Sequence, residues 1–289
     1  MNAMLAGEAP EQAMRPPLTR PPTLANQPDD TGASQILPTW RSSVKTKTYV
    51  RFLNRAAHFD ADIELVDVFA LGTRSGALVP ASGTPLFEGV DQEKHPRLAN
   101  RQANDHNRKL ALTHLKRTLA AAFIKDLYED VSTYLTDLLA AAARSGLSPD
   151  RLVGEHKMSL DANDLLRCQS WENVVQMVSR QLFRRLEDEK STIKLLTAVD
   201  KKLDLGADAT LREEALPYLE LRHLLVHADG VADEAFCRRY PSLAAVPGEA
   251  IALNGRVVKA AREKVVAMVQ NYDECAVAKL GLPNEDLQP

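Results

Sequence analysis

The ten residues Leu221-Arg222-His223-Leu224-Leu225-Val226-His227-Ala228-Asp229-Gly230 gather the side chains best suited to acid–base and phosphate chemistry. They hold an arginine, an aspartate and two of the seven histidines of the 289-residue chain. Leu224, Leu225 and Val226 are apolar, so one side of this turn is expected to face a core and hold the polar side chains by packing. An arginine and a histidine anchored in this way suit phosphodiester chemistry on RNA. That reaction needs a base near neutral pKa to take the proton from the 2′-hydroxyl, and imidazole is the natural choice. It also needs fixed positive charge where the pentacoordinate phosphorus gathers negative charge. Arginine supplies that charge in a planar fork that does not deprotonate. No metal and no cofactor are required.

Spacing adds a geometric condition. Five residues at about 100° each set Arg222 and His227 about 140° apart around a helix. One helix is poorly placed to aim both at a single phosphate, whereas two copies meeting across a two-fold axis would line a shared cleft, so a homodimer is expected. Other readings of the same residues remain open. Arg222 can be a surface arginine paired with Glu220 or Glu214, and His227 a helix-terminal histidine acting on exposed carbonyls. Glu220, His223 and His227 share a face at i, i+3 and i+7, a ligand-like spacing. The His-Glu-x-x-His arrangement is absent and no second His/Cys cluster completes it, so no metal site is assigned.

The elements that must position these residues read as helices. Residues 1–45, rich in Pro, Gln, Asp and Thr, carry no period and are expected to form a disordered leader. Residues 46–100 read as an N-terminal helix from Thr48, with Tyr49, Phe52, Ala56, Ile63, Val66 and Ala70 on one face. A long Gly/Pro-rich loop comes next, from Gly72 to Gly89. Whether residues 46–100 join the same bundle as the rest of the chain is left open. Residues 101–282 read as a helical bundle. Its strongest helix spans about 104–143, with Leu112, Leu115, Leu119, Phe123, Leu127 and Leu138 in its stripe. A helix capped by Ser170 starts at Trp171, read as a core anchor, and a short one opens at Ser191. The motif helix runs from Thr210, whose spacing to Glu213 is that of a capping box, to Gly230, with Pro217 as a kink or a start. A last helix covers about 255–280 behind Asn254, and Phe236 anchors the irregular stretch between the two. The expected class is an all-α antiparallel helical bundle with a disordered leader.

Composition agrees. Aromatics are 5% and Leu and Ala dominate the periodic segments, which favours helices over sheets. A net charge of −3 excludes a globally basic nucleic-acid binder but leaves room for a local patch. From Arg97 to Arg117 six basic residues face Asp105 alone, and Arg108, Lys109, Lys116 and Arg117 are candidate RNA-docking residues beside the more ordinary reading of a solvated helix start. Arg180, Arg184 and Arg185 read as a charged solvent face balanced by Glu187, Asp188 and Glu189. Three widely spaced cysteines indicate no disulfide framework, and no eighteen-residue apolar run indicates a membrane span, so a cytoplasmic protein is expected.

Arg222-His223-Leu224-Leu225-Val226-His227 resembles the Arg-polar-x3-His signature of HEPN domains, and Ala228 to Phe236 resembles the stretch that succeeds it in several bacterial HEPN groups. The likeness is sharp from Leu221 to Phe236 within a helical region of about 110–280. It implies a helical bundle that dimerises to bring two motifs together, with metal-independent endoribonuclease activity in many members. Arg222 and His227 would then be the catalytic pair and His223 the polar residue that supports them. It further implies RNA as substrate and roles in toxin–antitoxin systems and antiviral defence, with an antitoxin or a neighbouring defence protein as partner. Some HEPN proteins keep the fold without activity, so a non-catalytic RNA- or protein-binding module is the alternative.

Overall fold

The computed structural model describes residues 44–77, 90–102, 104–154, 159–188 and 191–288. The expected leader up to residue 43 and the Gly/Pro-rich stretch 78–89 lie outside them. In chain order the elements are β1 (Lys45–Thr46), α1 (Lys47–Arg74), α2 (Pro96–Ala99), α3 (Asp105–Arg144), α4 (Pro149–Val153) and α5 (Ala162–Arg167). Then come α6 (Trp171–Glu187), α7 (Thr192–Leu203), α8 (Ala209–His227), α9 (Glu234–Arg239), α10 (Gly255–Lys279) and β2 (Leu287–Gln288). The described chain is all-helical apart from the two-residue clasp in which β1 pairs antiparallel with β2.

Local chemistry sets the helix starts. Thr46, Asn104, Ser170, Asp208 and Asn254 each accept a first-turn backbone N–H, a cap contributing about 1 kcal/mol apiece. At α8 the cap is Asp208, which accepts the Thr210 N–H at 2.7 Å, and not Thr210 itself. The helix therefore begins earlier than the capping-box spacing predicts, and Pro217 lies within one continuous element.

Side-chain pairs fix the packing directions. Arg51 meets Asp137, Arg55 meets Asp130 and Lys116 meets Asp67, so α1 runs antiparallel to α3. Gln176 reaches Asp137 and Tyr128 reaches Glu187, so α6 does the same on another side. Arg222 meets Glu129, and Lys264 meets Glu214, which lays α8 against α3 and α10. The C-terminal half of α3 is the centre of this arrangement: Leu138, Leu139, Ala140 and Ala142 are fully buried among Leu182, Val199, Leu221 and Val265. Each such leucine or valine contributes about 1.5–3 kcal/mol relative to exposure. Tyr49 and Phe52 of α1 sit in the same core, which joins the segment after residue 46 to the rest.

Three apolar positions depart from the periodicity reading. Leu115 is 41% exposed, although Leu112, three residues earlier on the same helix, is buried. Trp171 is 75% exposed and anchors nothing, since as the first residue of α6 it projects beyond the packed face that starts at Val175. After α8, Phe236 is only partly buried and Tyr240 supplies the deeper anchor. No helix among the described residues is long and apolar enough to cross a membrane.

Buried polar groups are few among the described residues; the Ser179 and Tyr240 hydroxyls have no hydrogen-bond partner there, whereas Asp273 is fully engaged. Asp273 of α10, 2% exposed, accepts from the Thr46 backbone N–H at 3.0 Å, the Thr46 hydroxyl at 2.5 Å and the Tyr134 hydroxyl at 3.3 Å. It thereby ties β1, α3 and α10 together at one point.

Candidate functional site

The helical period of α8 sorts the motif into two faces. Leu221 and Leu224 are buried, Leu225 is partly buried, and Val226 is exposed, contrary to the expectation that it faces the core. Glu220, His223 and His227 occupy the opposite face, with both histidines exposed. Their rings lie 4.7 Å apart between centroids with a 50° tilt, the contact expected for residues four apart on one helix.

Arg222 comes to the same place by a different route. Its guanidinium carbon stands 4.9 Å from the centre of the Tyr128 ring, and its Nη2 lies 3.1 Å from Glu129 Oε1. Its partner is therefore Glu129, 93 residues away in α3, and neither Glu220 nor Glu214; Glu214 pairs with Lys264. Stacking and pairing fix the fork where a free arginine would sweep.

Arg222, His223 and His227 line one cleft of 670 Å³ in a single chain. Tyr128, Glu187, Glu220, Ser191, Thr192 and Leu195 complete its walls. The 140° separation is thus bridged by the reach of the arginine side chain, without a second copy of the helix. The walls are also acidic. Glu187 and Glu220 line the cleft, while Glu129 engages the arginine from its edge. Tyr128 donates its hydroxyl to Glu187 at 3.1 Å, and burial, reinforced by that carboxylate, pushes its pKa far above the usual phenol value. Tyr128 is therefore a neutral hydrogen-bond donor and a platform for the arginine.

The motif ends in a tight turn. Asp229 and Gly230 take positive φ values of 50° and 77°, and the Gly230 N–H returns to the Leu224 carbonyl at 2.9 Å. Beyond it, an isolated bridge between Val231 and Ala250 ties the chain leaving α8 to the segment before α10.

The four basic candidates of the run before residue 118 part company on α3. Arg117 alone reaches the motif: its Nη2 lies 3.9 Å from where a Cβ on Gly230 would stand. Lys116 pairs with Asp67, Arg108 pairs with Asp105 at 3.5 Å, and Arg108 and Lys109 line a separate cleft against Thr73 to Gly76.

Tyr128, Glu129, Glu187 and Thr192 were not legible as site residues. They are drawn from other helices, and only Tyr128, as an aromatic beside an acid on a predicted helix, carried any signal. Among the described residues no three His, Cys, Asp or Glu side chains converge as a metal ion would need. No family model, curated protein or solved structure matches this chain.

Proposed function

We propose that this chain is a metal-independent endoribonuclease of the HEPN type, acting in the cleft beneath Arg222, His223 and His227. The observation that carries the reading is the convergence of one fixed guanidinium and two adjacent imidazoles in a single cleft. One neutral imidazole removes the 2′-hydroxyl proton as the oxygen attacks phosphorus. The guanidinium takes the charge of the phosphorane, and a protonated imidazole returns a proton to the departing 5′-oxygen. The products are a 2′,3′-cyclic phosphate and a 5′-hydroxyl. His227 is the base or the acid and His223 supports it, while Arg117 contacts a neighbouring phosphate. A homodimer would place two such clefts together, and the cellular setting we propose is toxin–antitoxin control or antiviral defence.

A second reading has its own support. Glu187 and Glu220 make the cleft acidic, and Glu129 occupies the arginine, so a module of the same fold that binds RNA or a protein without cutting is consistent with the charges. Incubation of total RNA with the purified chain in EDTA, beside His227→Ala and Arg222→Ala, separates the two. Cyclic phosphate ends made by the parent and lost in both variants support the nuclease. Equal products from all three would trace cleavage to a contaminant and overturn the assignment. Expression that slows growth, relieved by His227→Ala, supports catalysis in the cell; growth effects that survive the substitution favour the binding module.

A further inference from the structure

A second pocket, of 430 Å³, opens where the first turns of α1 meet α3 and α6 beside the C-terminal clasp. Its wall carries five cations: Lys47, Arg51 and Arg55 from α1, Arg144 from α3 and Arg180 from α6. Only Asp137 and Asp286 oppose them within the lining.

Both carboxylates are already engaged. Asp286 takes the Arg144 fork through two contacts, at 2.6 and 3.2 Å. Asp137 receives Arg51 at 3.2 Å and the Gln176 amide at 2.9 Å. Arg55 pairs outward with Asp130 at 3.2 Å. Lys47 and Arg180 have no anionic partner among the described residues. Arg51 commits Nε to the Lys47 carbonyl and Nη2 to Asp137, Arg55 commits Nη1 alone, and a guanidinium offers five N–H donors, so both keep donors to spare. Arg180, Arg184 and Arg185 are exposed, as expected of a charged solvent face, and Arg180 also lines this pocket.

Uncompensated like charge around a concavity is unfavourable unless an anion is held there. The volume falls in the small-ligand range. No aromatic side chain lines it, so nothing is present to stack a nucleobase. We propose that this pocket binds a compact polyanion carrying two or more phosphate groups, recognised through its phosphates alone. The proposal is independent of the histidine cleft, which lies against the other end of α6.

The probe is inorganic tripolyphosphate, titrated calorimetrically into the full chain at low and moderate salt. Binding is expected, weakening as salt rises and at least about tenfold tighter than that of orthophosphate. Lys47→Gln and Arg180→Gln, both at exposed side chains, should each lower affinity about tenfold without changing the melting temperature, whereas Arg222→Gln should leave it unchanged. Absence of heat at millimolar probe, affinity indifferent to Lys47→Gln and Arg180→Gln, or loss on Arg222→Gln would overturn the proposal. A single-stranded RNA decamer that displaces tripolyphosphate at lower phosphate concentration would overturn the small-ligand assignment in favour of RNA.

Discussion

Glu129→Gln is the substitution whose outcome the geometry fixes most tightly. Glu129 is mostly exposed and Arg222 about one-third exposed, so their 3.1 Å pair is a surface salt bridge. Its loss should move folding stability by no more than about 0.5 kcal/mol. Under the proposed function its effect on phosphate binding should be larger. A phosphate seated on the free edge of the Arg222 fork would stand roughly 6 Å from the carboxylate, and at an effective dielectric of about 40–80 the repulsion is about 0.7–1.4 kcal/mol. Removing the charge should therefore tighten RNA binding by about 3- to 10-fold. The assay is fluorescence anisotropy with an RNA strand carrying a 2′-deoxy sugar at each cleavable position, run beside cleavage kinetics on the all-ribose strand. The gain should shrink as salt is raised, because the Debye length falls from about 10 Å at 0.1 M to about 3 Å at 1 M. Weaker binding, or a fall in kcat with unchanged binding, would refute the reasoning. It would show that Glu129 orients the arginine for its task and does not compete with the substrate for it.

Two further outcomes rest on particular residues. Gly230→Ala places a Cβ 3.3 Å from Leu225 Cδ2 at a φ of 77°, whereas Gly76→Ala at the same φ meets open space. The first should cost about 1–2 kcal/mol in thermal or urea unfolding and reduce RNA turnover; the second should cost about 1 kcal/mol and leave turnover intact. Asp273→Ala leaves the Thr46 and Tyr134 donors unpaired and should cost about 3 kcal/mol, while Asp273→Asn keeps an acceptor and should cost less. Burial holds the Asp273 carboxyl above its ordinary value against the opposing pull of its hydrogen bonds from Thr46 and Tyr134. A raised folded value means that this group's contribution is full below the unfolded value of about 3.9 and is lost as pH rises through the folded one. Urea titrations should thus show the parent gaining on Asp273→Asn as pH falls through that window; a parent that loses ground on acidification would contradict the burial argument.

The long helices were legible because period and caps are local, whereas the short α2, α4, α5 and α9, the last in a stretch read as irregular, carry too few turns to show a period. Ser170 and Asn254 stand where their sequence neighbours place them, and each accepts its expected first-turn N–H. Asp208 took the cap from Thr210 because a carboxylate two residues upstream reaches the Thr210 N–H, a competition that spacing alone does not rank. Arg222, His223 and His227 were readable as a group from their density of function. Their surroundings were not. Glu129 competes for the arginine from a helix 93 residues away, and the split of Arg108, Lys109, Lys116 and Arg117 over different faces depends on how α1 and α8 seat on α3. Trp171 misled because its side chain is large and apolar while its place, at the first residue of a helix, lies beyond the reach of the core.

The two-faced construction of α8 has a consequence for how such a protein changes over generations. Its foldedness rests on Leu221 and Leu224, and its candidate chemistry on Arg222, His223 and His227, residues that lie outside the core. A single codon change at Arg222 or His227 would silence the proposed activity and leave a folded molecule. Lineages of this chain can therefore drift between an active form and an inert decoy in one step, with no intermediate that misfolds.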